Sequence, residues 1–152
     1  MTKKLLAAGL ALALGAAYTL SAVAQAKPDV MVKQRQSAMT LQGKYFGPLA
    51  GMSQGKLPYD TNVVERNVSF LDALSQMPWD GFAPGTSGEK SAALPEIWKD
   101  AAGFKAAQDK FRGEIGKLVA ATKGGNEAMV KAAIGDLGKT CGGCHNTFRQ
   151  KQ

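Results

Sequence analysis

The residues best suited to chemistry lie together in the stretch "TCGGCHNTFR", positions 140–149. Cys141, Cys144 and His145 are both cysteines and the single histidine of the chain. Cys-x-x-Cys-His is the attachment signature of c-type haem. Two thiols have to reach two vinyl groups on one side of a porphyrin, and the adjacent imidazole has to reach the iron from one face. On a helix turning about 100° per residue, the three side chains fall within roughly 100° of arc. Gly142 and Gly143 lower helix propensity and leave the surface between the anchors slim.

Other chemistries suit this motif less well. A disulfide across Cys-x-x-Cys constrains almost nothing inside a helix. A thioredoxin-like dithiol wants a preceding strand and a helix N-terminus to lower a thiol pKa, and here a helix is ending. A zinc site needs further nitrogen or sulfur ligands, and no other His or Cys exists.

One histidine also excludes bis-histidine ligation within one chain. No methionine follows His145, so any methionine ligand must come from upstream: Met31, Met39, Met52, Met77 or Met129. Met39 is best placed, on the inner face of a first helix. A bundle methionine is ordinarily core; some side chain must nonetheless cover the distal haem face, and covering differs from bonding.

The elements that position these residues are helical, because strand alternation is nearly absent. A first helix is expected from Pro28 to about Met52, with Pro28 in its first turn and Asp29 at the positive end of its dipole. Its apolar face takes Val32, Met39 and Phe46, with Ala38, Leu41, Tyr45 and Leu49 beside them and Arg35 one turn before Met39. Gly47-Pro48 is expected to bend or locally disrupt it. Gly51 to Pro58 reads as a loop. Asp60 caps a second helix reaching about Gln76, with Val63, Val64, Asn67, Val68, Leu71 and Leu74 as its stripe. Trp79 to Leu94 is a long Gly/Pro/Ser-rich connection, of the kind that is usually functional. A third helix occupies about Pro95 to Lys123, with a short first piece near Trp98. Its seam is Ile97, Ala101, Phe104, Gln108, Phe111, Ile115 and Leu118, and Gly124-Gly125 stops it. Asn126 caps a fourth, whose stripe of Val130, Ala133, Ile134 and Leu137 continues into Cys141, Cys144, His145 and Phe148. Four helices with mostly short connections make an all-α, antiparallel four-helix bundle, with haem where core would otherwise be.

Ahead of the bundle, residues 1–24 read as a cleaved secretory signal. Lys3 and Lys4 precede a mostly apolar run from Leu5 to Leu20, and Ala22-Val23-Ala24 is the small-residue cleavage pattern. The run is short for a membrane span of about 20 residues. The remaining 25–152 form one cytochrome domain, exported to the periplasm and free of the membrane. The chain carries 19 basic and 12 acidic residues, net +7. The basic residues are scattered rather than blocked, which argues against a nucleic-acid partner.

The chain resembles cytochrome c prime, the class II cytochromes c with C-terminal haem attachment. The resemblance rests on "KPDVMVKQRQSAMTL", "GKLPYD", "MPWDGFAPGT", "PEIWKDAAGFK" and "CGGCHNTFR", and covers essentially the whole mature chain. It implies a left-handed four-helix bundle with one covalent haem c, often a homodimer packed through helices one and two. It implies five-coordinate, high-spin iron with His145 on the proximal side, as the metal ligand. The distal side is blocked by an apolar residue, here Met39. Trp79 and Phe82 match aromatics that close the distal pocket. Arg35 and Gln36 match residues at the haem periphery, Arg35 suited to a propionate. Arg149 matches a basic residue beside the proximal imidazole. The family binds nitric oxide and carbon monoxide and largely excludes dioxygen, and nitric oxide can end on the proximal side. Its role is framed as nitric oxide binding, transport or protection, with electron transfer also proposed. Two departures stand out. Close relatives often carry leucine or phenylalanine where this chain has Met39, and low-spin class II relatives use a helix-one methionine as ligand. The loop "GTSGEKSAALPEIW" is about two residues longer, which leaves open whether Glu89 is the acidic residue near the haem edge.

The expected function is therefore gas binding at an open sixth position, with nitric oxide sequestration as its use. The alternative is an electron carrier ligated by His145 and Met39. An enzyme such as a peroxidase is not expected, because no distal histidine, carboxylate or acid–base pair is in view.

Overall fold

A computed structural model describes residues 26–151. The expected signal at 1–24 lies outside the described residues. Five helices follow one another: α1 (Pro28–Ser53), α2 (Thr61–Leu74), α3 (Glu96–Lys99), α4 (Ala101–Lys123) and α5 (Glu127–Phe148). The four long ones form the bundle, with α1 against α2 and α5, and α4 against α2 and α5. Among the described residues there is no β-strand, only one isolated bridge between Ala93 and Arg149.

Local chemistry sets the helix limits. The Asp60 carboxylate accepts from the Val63 N–H at 3.1 Å, Asp100 from Gly103 at 2.9 Å and Asn126 from Met129 at 3.0 Å. Each satisfies a first-turn donor that has no partner within its helix. Asp100 is also the break that separates the one-turn α3 from α4. At the end of α1, Gly55 adopts φ 72°. Its N–H donates to Met52 O and the Lys56 N–H to Gly51 O, a Schellman closure. Leu57 packs over Gly51 so closely that a Cβ there would lie 2.8 Å from Leu57 Cδ1.

The main core cluster runs along the bundle up to Leu137, with Cys141 packed against it, and a smaller one of Ile97, Phe104 and Phe148 lies at the Cys-x-x-Cys-His motif. Leu49, Val64, Leu71, Ile115, Leu118, Ile134 and Leu137 are essentially inaccessible to water. Burying each such side chain contributes about 1.5–3 kcal/mol. Asn67, polar within this core, donates to Tyr45 O at 3.1 Å and so ties α2 to α1.

Some expectations fail. Gly47-Pro48 does not interrupt α1, which continues to Ser53, so the loop begins later than Gly51. Pro48 removes the donor to the Lys44 carbonyl and its ring crowds that carbonyl; Lys44 is exposed, where water can serve it. Leu41 and Ala101, placed on inner faces by periodicity, are exposed. The expected N-caps, the stop at Gly124-Gly125 and the bundle itself are as read from the sequence.

Candidate haem site

Between the two clusters, the bundle holds a partly open cavity of ≈ 710 Å³, within the range of about 300–1,000 Å³ typical of cofactor sites. All nine residues singled out in the sequence line it. The helix α5 contributes Cys141, Cys144 and His145, and Arg149 follows its last turn. From α1 come Arg35, Gln36 and Met39; from the 79–94 connection come Trp79 and Phe82.

The aromatic wall is continuous. Phe82 and Phe104 rings lie 4.9 Å apart, Phe104 and Phe148 5.2 Å, and Trp79 and Phe111 6.0 Å. The Trp79 indole N–H donates to Ser75 O at 2.6 Å, which fixes the ring at the end of α2. Helical periodicity assigns Phe46, Phe104, Phe111 and Phe148 to the core; Phe104, Phe111 and Phe148 are indeed buried there and Phe46 packs against it, and all four also line the cavity. Period alone cannot distinguish a side chain that packs on leucine from one that packs on a porphyrin. Thr40 and Gly43 also line the site. Nothing in the sequence singles out either beyond its place on α1 beside Met39.

The connection is anchored at both ends. Arg35 is buried at 3% exposure. Its guanidinium donates to Gly81 O at 2.6 Å, Thr86 Oγ1 at 3.1 Å and Ser91 Oγ at 2.9 Å, and lies 4.5 Å from the Phe82 ring centroid. Gly81 permits this approach: a Cβ there would sit 2.7 Å from Arg35 Cβ and 2.9 Å from Met31 O. At the other end the Leu94 N–H donates to Phe148 O, and Gln150 N–H to Ala92 O. The loop thus clasps the helix that bears the motif.

Electrostatically the site is basic. No Asp or Glu lines it, while Arg35, Arg149 and His145 do. Glu89, considered for the haem edge, is half-buried but not among the lining residues. Burial pushes the Cys141 thiol up to about 11, with Cys144 adding to the effect, and raises Cys144 also. His145 lines the cavity but is exposed overall; partial desolvation, and then the Arg149 charge, lower its pKa. That favours the neutral imidazole, the form that ligates metal.

These features suit a haem. Apolar aromatic walls match the porphyrin faces. Two free thiols and an imidazole on one helix match its attachment. Arg35 bonds the loop through neutral oxygens and, among the described residues, pairs with no carboxylate, so its positive charge stays uncompensated beside the cavity and suits a negatively charged periphery.

A family profile described as Cytochrome C' matches residues 30–149. Cytochrome c' of Rubrivivax gelatinosus is 47% identical over 126 residues, spanning 82% of this chain and 98% of its own length. The chain belongs to the cytochrome c' family. The cytochrome c' of Alcaligenes xylosoxydans xylosoxydans is 45% identical over 127 residues, spanning 84% of this chain and 98% of its own. The crystal structure of the Rubrivivax protein superposes with a TM-score of 0.78 at 46% identity, over 82% of this chain and 98% of that one. A nitric oxide complex of a leucine-to-alanine mutant from Alcaligenes xylosoxidans superposes equally well, 0.78 at 44% identity, over 84% and 99% of the two chains. A carbon monoxide complex of a leucine-to-glycine variant of the same protein gives 0.76 at 45% identity, over 83% and 98%. Membership makes haem c the cofactor of this chain, consistent with its two cysteines. It also accounts for the four-helix architecture, of which cytochrome c' is itself a standard example.

Proposed function

We propose that this chain is an exported haem c protein that binds nitric oxide and carbon monoxide at an open sixth iron position, as a nitric oxide sequestering and protective protein. Cys141 and Cys144 hold the haem by thioether links and His145 is the proximal ligand. The haem supplies the iron at which a small neutral gas binds. Met39 covers the distal face without bonding, and Trp79 and Phe82 exclude water from that side. Arg35 and Gln36 lie at the periphery, where Arg35 can offer charge to a propionate while it holds the loop. Arg149 stands next to the proximal imidazole.

The observation that carries this reading is the composition of the wall. His145 shares one cavity with Met39 and an aromatic cluster, and no second imidazole or carboxylate lines it. The nitric oxide and carbon monoxide complexes solved for the Alcaligenes relative support it. Among the described residues no helix is long and apolar enough to cross a membrane. Export to the periplasm rests on the leader pattern, and pairing of two copies through α1 and α2 rests on the family likeness.

A second reading has its own support: the Met39 thioether lines the cavity, where it could ligate the iron and make an electron carrier. Absorption spectra separate the two. The expected result is a high-spin spectrum in ferric and ferrous protein, with ready carbon monoxide binding to the ferrous form. A low-spin spectrum with a sulfur-to-iron band at long wavelength, abolished in Met39→Leu, would overturn the open-site reading.

A further inference from the structure

The helix α1 faces the cavity with two rows of side chains. The inner row is Arg35, Met39, Gln42 and Phe46, all buried or half-buried. The outer row, one step round the helix, is Gln36, Thr40 and Gly43, all exposed. Their spacing of four and three keeps each row on one face. The outer row is therefore the rim of the distal wall, and at Gly43 the rim has no side chain.

Glycine inside a helix costs about 1 kcal/mol relative to alanine, so each one in α1 asks for a reason. Gly51 has one, because Leu57 occupies the space of its Cβ. Gly47 has one, because it precedes Pro48, whose ring crowds a preceding Cβ. Gly43 has neither. It is not among the positive-φ glycines, and a Cβ there would meet no protein atom within 4 Å. What distinguishes it is its place on the cavity, one turn after Met39. The inner row is pinned on both sides of Met39: Arg35 by its bonds to the loop, and Gln42 by donating to Leu74 O at 2.9 Å. Met39 makes no polar contact, and the open position beside it is Gly43.

We propose that Gly43 is the access-determining residue of the distal site: its missing side chain leaves the opening by which a small neutral diatomic molecule passes Met39. The inference rests on the gas-binding reading above.

The test uses haem-loaded Gly43→Ala and Gly43→Leu, with three measurements: the unliganded absorption spectra, thermal unfolding, and the rate of carbon monoxide association with the ferrous protein. Unliganded spectra should match the parent. Gly43→Ala should melt higher, because helix propensity improves with no clash. Carbon monoxide association should slow in steps, on the order of threefold for alanine and tenfold for leucine, the latter equivalent to about 1.4 kcal/mol in the barrier. A rate for Gly43→Leu within about twofold of the parent, well below the tenfold step of 1.4 kcal/mol, overturns the proposal. So does an altered unliganded spectrum in Gly43→Ala, which would mean that the glycine makes room for the porphyrin. Should the leucine variant not mature, the alanine variant decides alone: a slowed rate with an unchanged spectrum supports the proposal, an unchanged rate overturns it. A parent protein that takes up no carbon monoxide sinks the gas-binding reading together with this one, whereas normal uptake with no effect of either variant sinks only this one.

Discussion

A buried arginine without a carboxylate is costly unless its donors are used. Arg35 uses its donors on three oxygens of one loop, Gly81 O, Thr86 Oγ1 and Ser91 Oγ. Replacing it with methionine keeps the stem and removes the bonds, stranding acceptors in a buried place. The expected cost is about 2–4 kcal/mol, read as a lower denaturant midpoint, with faster amide exchange across residues 81–94. If Arg35 served only a propionate, stability would fall while loop exchange stayed slow. Arg149 acts on the other side of the site. Its charge helps to lower His145, second to partial desolvation. In Arg149→Ala the proximal phase of nitric oxide binding should change while carbon monoxide association stays as it was. An unaltered nitric oxide time course would make Arg149 a solvated tail residue.

Among the elements, the connection between α2 and α3 owes most to a single close approach. Gly81→Ala places a methyl against Arg35 Cβ and the Met31 carbonyl. Overpacking of this kind costs about 1–3 kcal/mol, and the loop should lift from α1. The check is circular dichroism of the aromatic region with the melting temperature; an unperturbed variant would mean that the loop shifts freely. The same element shows where sequence reading stops. Caps at Asp60 and Asn126 were legible because a short polar side chain before an apolar-periodic run has a local cause. The attachment motif was legible because its spacing is fixed by the porphyrin. The clasp of Leu94 on Phe148 and Ala92 on Gln150 was not legible. It is made of backbone groups of distant segments, and no side-chain pattern records it. Leu41 misled for a related reason: an apolar residue at the edge of a helical stripe can face the core or another surface, and period does not choose between them.

At the scale of the whole molecule, α1 and α2 turn apolar surface outward on one side. Leu41 is 40% exposed and Phe70 42%. The Phe70 ring lies against Tyr45, one turn after Leu41, with centroids 4.7 Å apart. A contiguous apolar patch on a small protein commonly marks an interface, and a two-fold pairing would set the same patch against itself. The proposed homodimer is thus expected to use Leu41, Tyr45 and Phe70 at its centre. Phe70→Lys introduces two like charges facing each other across that axis and removes an aromatic anchor. Truncating a central aromatic anchor alone costs about 2 kcal/mol or more. Sedimentation equilibrium should then show monomers at concentrations where the parent is dimeric. The patch and the Cys-x-x-Cys-His cavity are lined by different residues, so the absorption spectrum should not move. A variant that stays dimeric places the interface elsewhere. One that becomes monomeric with an altered spectrum shows that pairing and the distal wall of α1 are coupled through the helix they share.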